Sequence, residues 1–180
     1  MGAVNFMAPP SPKDHAEEAL RAFRAGDFIA AAGLFGQSAV AYEAVGNGLD
    51  AAEMKNNQGV ALLQAGDAQG SLAAVQGTAA VFFEHADYRR QGMALGNEAS
   101  ALEAMGRVEE SMQMLQLAVG ALELAGEDQL RARVLQQIAS AQVRQGKYFE
   151  ALYAMRVGLS GLKKPTLKQK ILRAMLKLRL

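Results

Sequence analysis

The side chains that could do chemistry in this 180-residue chain are few: two histidines, His15 and His85, several carboxylate pairs, and no cysteine. Neither histidine has a second histidine or a cysteine at ligand spacing, so no metal site is expected. His85 and Asp87 would suit an acid–base pair, but they flank a turn, where such residues cap helices, and no serine elbow accompanies them. Gly46-Asn47-Gly48 lacks the further glycine and preceding strand of a dinucleotide loop, and Gly92 to Gly96 has no Lys-Ser/Thr after it. Glu17-Glu18, Glu109-Glu110 and Glu127-Asp128 fall in expected first helical turns, where the helix dipole favours negative charge. The residues therefore predict no catalytic group, no cofactor and no enzyme.

The absence of cysteine also removes disulfides and thiolate sites and fits a reducing compartment, so a cytoplasmic location is expected. Met1 to Lys13 has no basic segment leading into an apolar run, and Phe6 stands where a myristoylation signal needs Ser or Thr. The longest uncharged stretches, Phe28 to Tyr42 and Ala68 to Phe83, fall short of the roughly 20 residues of a membrane span. They read as buried helices, and no transmembrane segment is expected.

The elements that must position any site follow from composition and period. The chain is 51% hydrophobic and has four prolines, Pro9, Pro10, Pro12 and Pro165, so everything from Lys13 to Lys164 can be helix and short turn. Ala25-Gly26-Asp27-Phe28, Ala65-Gly66-Asp67-Ala68, Met105-Gly106-Arg107-Val108 and Gln145-Gly146-Lys147-Tyr148 recur every forty residues. Seven positions before each glycine stands Ala19, Gly59, Ala99 or Ala139; five after stands Ala31, Ser71, Ser111 or Ala151. Small residues at fixed phase let helices approach closely. A second set of breaks, Gly46-Asn47-Gly48, His85-Ala86-Asp87, Gly126-Glu127-Asp128 and Gly161 to Pro165, divides each unit into two helices of about 16 to 18 residues. One pair cannot bury its apolar face alone, and stacked neighbours can.

Over about residues 13 to 163 the unit resembles the tetratricopeptide repeat in its forty-residue variety. The family's small residue, its glycine and its alanine-like residue match Ala19 to Ala31, Gly59 to Ser71, Ala99 to Ser111 and Ala139 to Ala151. The aromatic expected four places before the small residue is replaced by His15, Lys55, Leu95 and Leu135, and the unit-ending proline is missing apart from Pro165. A HEAT-like or other α-solenoid has units of similar length; the phase of the small residues favours the tetratricopeptide reading. The resemblance implies an all-α, right-handed α-solenoid of about four helical hairpins (units about 13–46, 47–86, 87–126 and 127–163). A flexible N-terminal tail, 1–12, would precede it, and a basic amphipathic capping helix, 164–180, would follow.

In that family the first helices of successive pairs line the concave side. The resemblance thus points to Glu53, Asn56, Asn57, Val60, Leu63 and Gln64 in the second unit and Met93, Asn97, Ser100 and Glu103 in the third. In the fourth it points to Arg133, Gln136, Gln137, Ser140, Val143 and Arg144. The row Asn57, Asn97, Gln137 repeats at the forty-residue period. Carboxamides carry donors and acceptors, so such a row suits the backbone of an extended peptide whatever its side chains. The other reading of the row is helix-to-helix packing. One subset of the family grips acidic chaperone tails; of the matching positions Ala16, Leu20, Asn57, Met93 and Asn97 only one fits its ligand set, and that ligand is not expected. Met54, Met93, Met105, Met112, Met114 and Met155 read as core filling or as an adaptable binding surface.

Up to Glu150 the chain holds 18 acidic and 11 basic residues, a net of −7; residues 151–180 hold eight basic residues and no acid. After Pro165, Leu167, Ile171, Ala174, Met175 and Leu178 make an apolar stripe, with Lys168, Lys170, Arg173 and Lys177 around it. Such a helix caps the solenoid end, or docks on an anionic membrane, an acidic protein or a second copy of the chain. No aromatic residue follows Tyr153 to stack on bases, so no specific nucleic acid is expected. The function predicted is a scaffold or adaptor holding a protein or peptide in its groove; the alternative is a peripheral or self-associating module acting through the basic helix.

Overall fold

The computed structural model describes residues 11–177 and, among them, ten α-helices and no strand. Residues 1–10 of the expected N-terminal tail lie outside the described residues, as do Leu178 and the side chain of Lys177. The chain divides into two compact units, Met1–Val75 and Gln76–Leu180.

The first unit contains α1 (Pro12–Arg24), α2 (Phe28–Ala44), α3 (Gly48–Gln64) and α4 (Ala68–Val75). Ser11 caps α1 in a reciprocal box: the Asp14 amide donates to Ser11 Oγ and the Ser11 amide donates to Asp14 Oδ2. Ala19, Ala31, Ala32, Phe35 and Ala61 form its core, with Phe23, Leu34, Met54 and Leu62 packed against them. Small side chains at the crossing are what permit this. A Cβ on Gly59 would collide with Val75 Cγ1 and lie 3.1 Å from the Ser71 carbonyl oxygen, so α3 and α4 meet almost backbone to backbone. Ser38, fully buried, donates from its hydroxyl to the Pro12 carbonyl at 2.7 Å.

The second unit contains α5 (Thr78–Glu84), α6 (Tyr88–Ala104), α7 (Val108–Leu124), α8 (Asp128–Arg144), α9 (Tyr148–Ser160) and α10 (Leu167–Lys177). The α6–α7 crossing repeats the logic of the first unit. Ala99 is 1% exposed, Ser111 Oγ donates to the Ala99 carbonyl at 2.8 Å, and a Cβ on Gly92 would lie 2.5 Å from Leu122 Cγ. Leu95 and Leu102 of α6, Leu115 and Leu122 of α7, and Val134, Leu135 and Ile138 of α8 are buried.

Seven turns fall at a spacing of twenty residues, each with one residue of positive φ: Gly26, Gly46, Gly66, Ala86, Gly106, Gly126 and Gly146. At each turn the amide of the following residue donates back to a carbonyl five residues earlier, as Asp27 does to Ala22 and Arg107 does to Leu102. Asp27, Asp67 and Asp87 then cap the next helix by accepting from the amides of Ala30, Gly70 and Arg90. Ala86 alone takes the left-handed conformation with a side chain, at φ 54, which costs it about 1 to 2 kcal/mol. Ala86→Gly is therefore expected to stabilise the chain by about 0.5 to 1 kcal/mol after the extra unfolded-state entropy of glycine is subtracted. Urea denaturation measures this, and an unchanged or lower midpoint would show that Ala86 carries no strain.

Two expectations are corrected. The run Ala68 to Phe83 is not one helix: α4 stops at Val75, Gly77 at φ 85 turns the chain, and α5 starts at Thr78. Gly77 occupies the place held by Gln37, Leu117 and Val157 in the other second helices, and of the four only glycine enters the left-handed region without steric cost. Pro165, expected in the first turn of the last helix, instead precedes Thr166, whose hydroxyl accepts from the Gln169 amide while its own amide donates to Gln169 Oε1.

Candidate functional site

Helical phase sends Met93, Asn97 and Ser100 to one face of α6, and the forty-residue period sends Arg133, Gln137 and Ser140 to the matching face of α8. In the second unit these two faces border a groove of about 480 Å³, lined also by Gly96, Glu103, Gln136 and Arg144. Nine of the ten predicted residues of α6 and α8 thus share one concavity, and the tenth, Val143, is exposed and does not line it. Its floor comes from Gly92, Leu122, Leu130 and Val134.

The six predicted residues of α3 belong to the first unit. Asn56 is 7% exposed, Glu53, Asn57, Val60 and Leu63 are half-buried, and Gln64 is exposed. Of the methionines, Met54 packs on the first unit's core, whereas Met93, 38% exposed, lines the groove.

Local packing fixes the chemistry of the groove. Ser100 Oγ donates to the Gly96 carbonyl and Ser140 Oγ to the Gln136 carbonyl, each at 2.9 Å, so both hydroxyl protons are spent within their own helices. Their oxygens remain acceptors. Arg144 pairs with Glu103 between α8 and α6. Both partners are exposed, so this pair orients side chains and adds at most about 1 kcal/mol. Burial pushes the carboxyl of Glu98, one residue beyond Asn97, above its ordinary value. Gly96 matters most for shape. A Cβ there would meet nothing within 4 Å, whereas the matching positions one period away carry Asn56 and Gln136. The sequence held that signal: the period aligns Gly96 with two carboxamides, and the missing side chain opens the groove.

A second concavity of about 600 Å³ was not foreseen. It is bordered by α7, α8 and α9 and lined by Leu135, Ile138, Gln142, Phe149 and Tyr153, with Phe149 88% exposed. The exposed aromatics of α9 were its only signal in the sequence.

The C-terminal helix packs on α9, with Leu172 and Leu176 lining cavities on its packed side. Gln129 secures the approach by donating from Nε2 to the Lys164 carbonyl at 3.0 Å. Lys168 and Lys170 are exposed, and Arg173 is half-buried beside Tyr153 and Arg156. The stripe Leu167, Ile171, Ala174 and Met175 faces away from the body and is exposed.

Among the described residues no helix is long and apolar enough to cross a membrane, and no three His, Cys, Asp or Glu side chains cluster as a metal set. The repeated small-residue crossings and periodic turns define a tetratricopeptide-like helical repeat fold. Among solved structures, the chain is similar to one titled "Crystal structure of MamA", at 16% identity and a TM-score of 0.50 over 87% of this chain and 96% of that one. That likeness is one of fold. No family model matches the chain, and no curated protein does.

Proposed function

We propose that this protein is a non-catalytic binding scaffold that holds an extended segment of a partner protein in the groove between α6 and α8. The observation that carries this reading is the convergence of Asn97, Gln136 and Gln137 with the hydroxyl oxygens of Ser100 and Ser140 on one open concavity. Amides that both donate and accept match a peptide backbone, which does the same at every residue. Arg133 and Arg144, eleven residues apart on α8, delimit about 16 Å of helix, the length of about five extended residues. Met93, Leu130 and Val134 supply apolar surface for the side chains that set specificity. The groove's volume lies within the roughly 300 to 1,000 Å³ of ligand sites. Nothing in it supports catalysis: both serine hydroxyls are turned into their helices, and no histidine or cysteine lines it.

Selection of peptides from a random display library on the full chain, followed by titration of the winners, tests this. The double variant Asn97→Ala/Gln137→Ala is expected to lose about tenfold or more in affinity, two hydrogen-bonding side chains at roughly 1 kcal/mol each, with the helical fold retained by circular dichroism. Full affinity in that variant would remove the groove from the account.

A further inference from the structure

We propose that α10 is a membrane-surface helix that seats its outward stripe among anionic lipid headgroups, a role independent of the α6–α8 groove. Capping the last helical pair requires only the packed side of α10, and Leu172 and Leu176 provide it. On the opposite side Leu167, Ile171 and Met175, 75%, 54% and 55% exposed, recur at one-turn intervals with exposed Ala174 beside them. An unbroken apolar strip about 12 Å long is thus presented to the outside by a helix already anchored on its other face.

Charge identifies the occupant. At about 100° per residue, Lys168 lies on one edge of the strip and Lys170 on the other, and both are exposed. Lys164 is exposed just ahead of the helix, next to Lys163, which pairs with Asp128 at 3.7 Å, and no acidic residue follows Glu150. Lysines along both edges can lay their alkyl stems beside the strip while their ammonium groups reach the phosphate level. A protein groove that takes an amphipathic helix reads its apolar anchors in one fixed register. The exposed side of α10 carries alkyl and ammonium groups, which fit a laterally uniform plane of negative charge over hydrocarbon. Residues 151–180 hold eight basic residues and no acid, so the segment that carries α10 is itself strongly cationic.

The test is flotation of the full chain with vesicles of mixed phosphatidylglycerol and phosphatidylcholine, against phosphatidylcholine alone, at low and high salt. Binding to the anionic vesicles is expected to exceed that to neutral ones by about tenfold or more and to weaken as salt rises. Lys168→Gln/Lys170→Gln is expected to lower it about 25-fold, roughly fivefold for each cation removed from an anionic surface. Ile171→Ser/Met175→Ser should lower it at least about tenfold. All four positions are exposed, so helicity by circular dichroism should be unchanged, and the lysine pair keeps the test decisive if the apolar pair loosens the helix. Equal binding to neutral vesicles, or anionic binding that survives both double variants, would overturn the proposal. So would absence of vesicle binding together with a solution mass that falls when Ile171 and Met175 are replaced, since the strip would then belong to a second copy.

Discussion

Ala99→Leu is expected to cost about 3 kcal/mol and to lower the melting temperature of the second unit by about 10 °C. Ala99 is 1% exposed, and the carbonyl of the same residue accepts the Ser111 hydroxyl at 2.8 Å. Three added carbons at that crossing have no void to enter. The nearby backbone approach is tighter still, since a Cβ on Gly92 would lie 2.5 Å from Leu122 Cγ and 3.3 Å from the Ala118 carbonyl oxygen. Relief requires α6 and α7 to move apart, which exposes Leu115 and Leu122 and breaks the buried serine bond. Ala104→Leu, on the same helix but exposed, supplies the control and should change stability by less than about 0.5 kcal/mol. Thermal melts of the two variants followed by circular dichroism measure the difference. A loss below about 1 kcal/mol at Ala99 would mean that the small-residue crossings do not hold the helices together.

Gly96→Leu is expected to abolish most peptide binding while leaving the fold intact or slightly firmer. A Cβ at Gly96 meets nothing within 4 Å, and leucine is favoured over glycine in a helix interior by roughly 0.5 to 1 kcal/mol. The new side chain would project into the space bordered by Asn97, Ser100 and Gln136. A segment held there would lose its backbone contacts with both helices, about a hundredfold in affinity, the scale of a hot-spot loss. Titration of a selected peptide into both proteins decides the point. Unchanged affinity with a raised melting temperature would place the peptide elsewhere, the outer concavity of Phe149 and Tyr153 being the next candidate.

The hairpin organisation was legible because turn chemistry and core chemistry share one period. The glycines at 26, 66, 106 and 146 sit at positive φ, and the small residues in phase with them, Ala19, Gly59, Ala99 and Ala139, are all buried. The break at Gly77 was not legible by the same rule. Gly33 and Gly36 sit inside α2, and Gly120 inside α7, without interrupting either helix, so glycine alone does not mark a stop. What differs at Gly77 is the backbone conformation, at φ 85, which the residue type permits but does not dictate. The α6 and α8 residues were assigned from the family resemblance, and in the second unit nine of the ten line one concavity. The α3 residues assigned with them belong to the other compact unit. The stripe on α10 was visible at its correct spacing, but a periodic pattern does not reveal which of two apolar sides packs. Leu172 and Leu176 face the body, and the stripe of Leu167, Ile171 and Met175 is left outside.

A partner lying along α6 and α8 will shift the backbone amides of those helices, which can be mapped on the isotopically labelled full chain during titration with a selected peptide. The largest changes are expected at Met93, Asn97, Ser100, Gln137 and Ser140, with α9 and α10 nearly silent. Changes concentrated on Phe149 and Tyr153, or spread over α10, with the α6 and α8 amides unmoved, would contradict it.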